Sequence, residues 1–530
     1  MLLERRDRER ELTVELDEES QVELLQRLAY WLIRNGRAEM DRTDALNQLE
    51  RLLPSMPYVS AQGSAEEILR QLLDRSGLLR EPAAGAVDFV HRTFQDYLGA
   101  RAAVEERDFD ALVEHAHLDQ WEDVVRMAVA HARPDERARI LRGLVGRGDR
   151  EEGFRRRLHL LAMACLEHAA KLDPGVRDEV ERRAGELIPP RNAYEAEKLA
   201  ELGPIVLELL PGPEDVADDA VAVNVVLTAC LIGGDSALPY LVWYREHDNA
   251  FVRNQLGFHW NGFDTERYAS EIIQHLPSVP DTSIVVRSPE ELDTLNRLGG
   301  HNYVELAGDF SCPQIATTLN ERQLGLALWN NSVVADLNFL RNHQHLRSLC
   351  VDACPEISSL APLVGLPLER LMLGDLAGIP DLSPLRELTQ LTYLFLSDEV
   401  RGLNVLADLP QLCELGLDLD TPLAKEAWES IASLSELRHL NLSLVDFAGL
   451  VSSGVPLQHV ETVTVTASRE SLDLAAAVTA LPAMVRLQVR AADVLDLAPL
   501  ATHPTLTHIT TPPTCRLLNA DKLPTTIKLN

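Results

Sequence analysis

Leu391-Thr392-Tyr393-Leu394-Phe395-Leu396 is one instance of a pattern, L-x-x-L-x-L, that returns through the C-terminal part of the chain. Its first position, leucine or an apolar substitute, falls at Leu346, Leu368, Leu391, Leu412, Leu437, Val460, Met484 and Leu506. The steps are 22, 23, 21, 25, 23, 24 and 22 residues, within the period of leucine-rich repeats. The spacers echo one another as well: Ile357-Ser358-Ser359-Leu360-Ala361-Pro362-Leu363, Pro380-Asp381-Leu382-Ser383-Pro384-Leu385 and Leu495-Asp496-Leu497-Ala498-Pro499-Leu500. Each spacer returns the chain across the convex side and tucks leucines beneath the next strand. Weaker turns surround Val304-Glu305-Leu306 and Leu324-Gly325-Leu326. The ninth repeat position, commonly Asn or Cys, holds Cys354, Leu376, Glu399, Asp420 and Val445, so the asparagine ladder is mostly missing and the turns should be irregular. In this register Cys354 reads as a buried ladder cysteine and not as a metal or redox group.

Alternation along a strand assigns the faces. The fourth and sixth positions point into the core, and the third, fifth and seventh line the opposite, exposed face. Three stripes result: Ser348, Arg370, Tyr393, Glu414 and His439; Cys350, Met372, Phe395, Gly416 and Asn441; Asp352, Gly374, Ser397, Asp418 and Ser443. Arg370, Met372, Tyr393 and Phe395 meet near the centre, with His439 further along the first stripe. Exposed aromatic, Met and Arg side chains grouped on one surface have the composition of a binding hot spot. A protein or other macromolecular ligand is therefore expected on the concave face. The competing reading is that Phe395 only covers a neighbouring strand.

Upstream of about residue 278 the texture is helical. Residues 106–277 read as amphipathic helices of about 12–18 residues with short loops such as Arg133-Pro134-Asp135, an irregular HEAT-like arrangement of helix pairs. In residues 1–105, Leu24-Leu25, Leu28 and Trp31-Leu32 mark one helix, and Ser64-Ala65-Glu66-Glu67 is a capping box that opens another. Gly77 to Arg80 and Ala86 to Val90, separated by a Pro/Gly turn, read as a hairpin. A helix follows from Arg92 with Phe94, Tyr97 and Leu98 on one side. Helices closed by a small hairpin describe a winged helix. The fold is thus multidomain: an α-helical winged helix (1–105) and α-solenoid-like region (106–277), followed by an α/β leucine-rich repeat solenoid (278–530).

The chain has 530 residues and a net charge of −32. Residues 1–200 carry 31 basic and 40 acidic residues, and residues 201–530 carry 19 and 42. This balance argues against nucleic acid and anionic membranes as partners. Seven cysteines without regular spacing describe no disulfide framework, and with no secretory signal or membrane-spanning run they place the protein in the cytoplasm. There is no G-x-x-x-x-G-K-[ST], no G-x-G-x-x-G after a strand and no G-x-S-x-G, so no enzymatic constellation is assigned. In Glu114-His115-Ala116-His117 the histidines stand two apart on a helix and diverge, which makes a metal site a poor reading. Tyr30 and Trp31 diverge in the same way and read as packing residues.

Phe89-Val90-His91-Arg92-Thr93-Phe94-Gln95-Asp96-Tyr97-Leu98-Gly99-Ala100 resembles the F-h-H-x-[ST]-F-Q-[ED]-[FY]-L-A-A signature of NACHT-type signal-transducing NTPases, the class of the animal NLR proteins and their bacterial relatives. Leu118-Asp119-Gln120-Trp121-Glu122-Asp123-Val124-Val125 is similar to segments of actinobacterial NACHT proteins. The resemblance implies a winged helix behind a nucleotide-binding domain, then helical repeats, then a leucine-rich repeat sensor. It implies that His91 reaches the β-phosphate of bound ADP when an NTPase domain is supplied in cis or in trans. Otherwise His91 caps or packs at the hairpin-to-helix junction; Arg92 beside it either supports the phosphate or, the favoured reading, is a solvated helix-start residue. The Walker motifs of that family are not in this sequence, so ATP and ADP are expected only with the NTPase domain, and this chain holds no cofactor or metal of its own. The function implied is ligand recognition that controls a nucleotide-switch NTPase, in bacterial antiphage defence or signalling. The alternative is a free-standing leucine-rich repeat scaffold without nucleotide function.

Overall fold

The computed structural model describes residues 16–375, 381–398, 402–466, 472, 474–475, 477–512 and 515–529. The chain divides into two compact units, Met1–Ile232 and Gly233–Asn530. The division falls inside the helical stretch, so the last helices before the repeats belong to the second unit.

The first unit opens with α1 (Glu18–Arg34), whose N-cap Asp17 accepts from the Ser20 amide and whose buried side carries Leu24, Leu25, Leu28 and Leu32. Strand β1 (Glu39–Asp41) and α2 (Arg42–Leu52) follow. Helix α3 (Ala65–Arg75) starts on the expected capping box: the Ser64 hydroxyl accepts from the Glu67 amide, and the Glu67 carboxylate accepts from the Ser64 amide. Strands β2 (Leu79–Ala83) and β3 (Ala86–Phe89) form the hairpin. Its turn is shorter than the sequence suggests, because Glu81 and Pro82 lie in β2 and only Ala84-Gly85 bends, with Gly85 at φ +83°. Strand β1 pairs with β3 antiparallel, Met40 opposite Val87, giving a three-stranded sheet in the order β1-β3-β2. Leu28, Met40, Leu49, Ile68, Leu72 and Val87 share one core.

Helix α4 (Arg92–Glu105) leaves the hairpin and packs on α1. Here one expectation is corrected. Leu98 is buried, but Phe94 and Tyr97 point outward, and the packed face is Gln95, Leu98, Gly99, Ala102 and Ala103. The helices approach too closely for larger groups: a Cβ on Gly99 would lie 2.1 Å from Ile33 Cδ1. Small residues take the contact with α1; Phe94 is left outward, and Tyr97 lies partly exposed with its ring edge-on to His131, ring centres 4.7 Å apart. Helices from α5 (Phe109–His115) through α6 (Glu122–His131), α7 (Pro134–Arg150) and α8 (Arg155–Cys165) continue the unit to Ile232. His115 stacks on Trp121 and His117 on Phe154, so the two rings diverge to separate partners. Tyr30 is buried with its hydroxyl on Asp108, and Trp31 packs at the edge of the core.

The second unit is built on a 12-stranded sheet in which the neighbours pair parallel and in chain order from β4 (Ile284–Val286) to β17 (Lys528–Leu529). Its middle strands are β5 (Tyr303–Ala307), β6 (Gly325–Trp329), β7 (Ser348–Asp352), β8 (Arg370–Gly374), β9 (Tyr393–Ser397), β10 (Glu414–Asp418), β11 (His439–Ser443), β12 (Thr462–Thr466), β13 (Arg486–Arg490) and β15 (His508–Thr510). Two short strands, β14 (Val494–Asp496) and β16 (Arg516–Leu518), pair apart from it. The register aligns Leu349, Leu371, Leu394, Leu415, Leu440, Val463, Leu487 and Ile509 in one buried row. This is a leucine-rich repeat solenoid, whose connections include 3-10 turns such as Ala361–Leu363 and Ser383–Glu387 and short α-helices such as Lys425–Ala432 and Leu444–Ser453.

Two ladder residues differ in origin. Cys354 is buried with its thiol near the Leu328 and Asp352 carbonyls, and burial pushes that thiol up. One repeat earlier, Asn331 occupies the ninth position, fully buried, donating to the Phe310 carbonyl and accepting from the amides of Val333 and Val334. The sequence pattern misses it because its repeat begins on Gln323 and not on an apolar residue. Leu376 and Glu399 lie outside the described residues.

Candidate recognition and docking sites

In the first unit, the turn from hairpin to helix fixes the candidate nucleotide-sensing residue. His91 is the N-cap of α4 with extended backbone, and its side chain makes no capping hydrogen bond. The ring is exposed and meets only Phe94 among aromatic groups, edge-on at 6.4 Å. Along the same turn and helix, Val90, Phe94 and Tyr97 are each more than two-fifths exposed, and the Tyr97 ring meets His131 edge-on at 4.7 Å. Arg92 is exposed but engaged, 3.5 Å from the Asp96 carboxylate and donating to the Gln120 carbonyl. Asp96 is buried, and its carboxyl is pushed up to about 6 by that burial, with Arg92 opposing the rise and Asp123 adding to it. Arg37, Arg80, Arg92 and Asp96 line a hollow of about 330 Å³ beside this turn.

In the second unit, parallel pairing sets the exposed rows. Ser348, Arg370, Tyr393, Glu414 and His439 lie in register, as do Cys350, Met372, Phe395, Gly416 and Asn441. The Arg370 guanidinium stacks 4.0 Å from the Tyr393 ring centre. Asn441 donates to Glu414, and His439 is exposed beside it. The middle row is less open than alternation predicts, since Cys350 and Gly416 are buried. The Phe395 ring occupies the space over Gly416, where an added Cβ would sit 2.5 Å from Phe395 Cδ2. Phe395 therefore covers its strand neighbour while staying half-exposed, and Met372 is half-exposed in the row beside it.

The stripes understate one feature, a line of carboxylates at the C-terminal ends of the strands. Asp352, Asp375, Asp398 and Asp418 close β7 to β10. The Asp398 carboxylate accepts from the Ser397 hydroxyl and from the Asp375 amide. The carboxyl of Asp352 is raised by partial burial and then by the charges of Asp375 and Asp398. Asp375 and Asp398 occupy the eighth repeat position, which is left-handed in several repeats: φ is +54° at Asn330, +50° at Ala353, +43° at Asp375 and +65° at Asp398. Asn and Asp tolerate that conformation better than most residues.

Residues 4–103 match the family model described as the winged helix-turn-helix domain C-terminal to NACHT. The first domain is a winged helix similar to those that follow NACHT domains. No curated protein matches the chain. Among solved structures, internalin C2 of Listeria monocytogenes is similar at 19% identity over 42% of this chain and 84% of that one, with a TM-score of 0.25. Internalin F of the same organism is similar at 16% identity over 46% of this chain and 88% of that one, also at 0.25. Among the described residues no helix is long and apolar enough to cross a membrane.

Proposed function

We propose that the chain is the regulatory and sensing portion of an NLR-like NACHT protein, in which ligand engagement on the leucine-rich repeats controls a nucleotide-switch NTPase in bacterial defence or signalling. The observation that carries this reading is His91. It sits on the NACHT-associated winged helix with its imidazole exposed and uncommitted to the helix cap, beside the exposed Phe94 ring, with Val90 and Tyr97 also partly exposed on this turn and helix. Large apolar groups left outward beside a hydrogen-bonding ring suit a second domain. An imidazole can donate to a phosphate oxygen there, which couples domain position to nucleotide state. In this reading the NTPase domain holds the ADP, and His91 supplies one contact to it.

Docking is the test. Phe94→Ser with Tyr97→Ser, measured by calorimetry against a NACHT NTPase domain, should abolish association while lowering the melting temperature of the chain only slightly, because Phe94 is outward and Tyr97 gives up only its edge contact with His131. Undiminished association would move the docking face elsewhere. The chain by itself, titrated with ADP, should give no micromolar binding, since it lacks a phosphate-cradling loop and its magnesium-holding hydroxyl; micromolar ADP binding would overturn that assignment.

A further inference from the structure

The inner sheet face of the second unit is charge-polarised along the solenoid axis. Across β7 to β10 the outward strand positions and the residues that close them carry Asp352, Asp375, Asp398, Glu414 and Asp418 against the single cation Arg370. Across β12, β13, β15 and β17, the strands of the long sheet at this end, the outward positions carry Arg486, Arg490, His508 and Lys528 and, among the described residues, no carboxylate; Asp496 lies on β14, in the separate two-stranded pair. Arg486 and Arg490 are exposed at the two ends of β13. This basic end stands out in a region, residues 201–530, with 19 basic against 42 acidic residues. Between the two ends lies a hollow of about 440 Å³ walled by Tyr393 and Phe395 on one side and by Thr464 and Gln488 on the other.

Among the described residues, none of the carboxylates of the acidic end is in an ion pair. Asp375 and Asp398 add to the burial that raises the Asp352 carboxyl, and the hydrogen bonds at Asp398 come from a neutral hydroxyl and an amide. Left-handed backbone explains why Asp suits positions 375 and 398, but Ala353 takes the same conformation without a carboxylate. Nor does it account for Asp352, Glu414 or Asp418.

We infer that the occupant of this face is an extended polypeptide segment of dipolar charge, with its cationic residues over β7 to β10 and its anionic residues over Arg486 and Arg490. The inference rests on the reading of the leucine-rich repeats as the sensor. Spacing follows from the sheet. Three to four strand steps of about 4.8 Å separate β9 and β10 from β13, roughly 14–19 Å, which an extended chain spans in about four to six residues. The neutral middle of the segment lies in the hollow between Phe395 and Thr464.

The probe is a fluorescent synthetic peptide with a Lys/Arg block and a Glu/Asp block separated by about five neutral residues, one of them aromatic. Its comparator has the same composition with the charges shuffled. By fluorescence anisotropy at low salt, the full chain should bind the block peptide at least about tenfold more tightly than the shuffled one, a preference that weakens as salt rises. Arg486→Glu with Arg490→Glu should erase the preference and transfer it to a peptide whose acidic block is replaced by a second basic block. Equal binding of block and shuffled peptides, or a preference that survives the double reversal, overturns the inference. Phe395→Ala separates the two levels. If it weakens every peptide while the reversal changes nothing, the face recognises ligand but not by this polarity. If neither variant changes binding of any peptide, the sensor reading of the face fails as well.

Discussion

At the scale of single residues, the winged helix holds one group whose charge costs stability. Asp96 is buried beside Arg92, and its carboxyl is raised from 3.8 to about 6. Between about pH 4 and 6 the folded protein keeps a proton that the unfolded chain has released, so stability falls as pH rises through that window and is level above it. The full effect is roughly 3 kcal/mol. Asp96→Asn should therefore raise stability at neutral pH and remove this slope, read from the N-terminal unit's transition in urea unfolding at several pH values. A destabilised variant at neutral pH would show that the ionised Arg92–Asp96 pair holds the turn together. His91 behaves differently. Its ring takes no part in the cap, so His91→Ala should leave the melting curve within about 0.5 kcal/mol of wild type, as surface substitutions do. Phosphate sensing was legible here only through resemblance, because nothing in the spacing of residues 89–100 distinguishes an exposed histidine from a packed one.

At the scale of elements, the repeats depend on two residues for reasons of space and hydrogen bonding. Gly416 leaves room for the Phe395 ring, and a Cβ there would sit 2.5 Å from it. Gly416→Val should cost about 1–3 kcal/mol and displace the ring, measured as a lowered melting temperature together with weaker ligand binding; an unchanged melt would mean that Phe395 is free to move. Asn331 satisfies a buried carbonyl and two amides, so Asn331→Ala should destabilise the second unit by about 2 kcal/mol or more, visible in urea unfolding, whereas an undisturbed transition would leave the ladder role unsupported. The strand register from Leu346 onward was readable because a period-two core row repeats with little variation. Strand β4 at Ile284–Val286 was not, since three consecutive apolar residues carry no alternation to read. Strand β1 escaped for a related reason: Glu39-Met40-Asp41 buries only Met40, too short a pattern to separate from a loop. The outward turn of Phe94 and Tyr97 depended on how closely α4 approaches α1, which Gly99 hints at but apolar spacing does not encode. The carboxylate line at the strand ends was likewise invisible to a pattern counted in leucines, although position eight could have been read by aligning the repeats one residue further.

At the scale of the whole molecule, two compact units carry two different surfaces: a winged helix with an apolar, histidine-bearing face and a repeat sheet with opposite charge at its two ends. Truncating Tyr393 or Phe395 to Ala should cost a ligand complex about 2 kcal/mol or more while folding stays nearly intact; equal binding by the double variant with an unchanged melt would place recognition elsewhere. In the proposed assembly the NTPase domain holds the nucleotide, and control passes through the position of the winged helix against it. The most direct measurement is the release rate of a fluorescent ADP analogue from an assembly of this chain with its NACHT NTPase domain, for wild type and His91→Ala. Loss of a phosphate hydrogen bond of about 1.5–3 kcal/mol should loosen the ADP-held state, and quicken release, by roughly 10- to 150-fold. Release at the wild-type rate, with the variant fully docked, would contradict the account and return His91 to a surface residue of the turn.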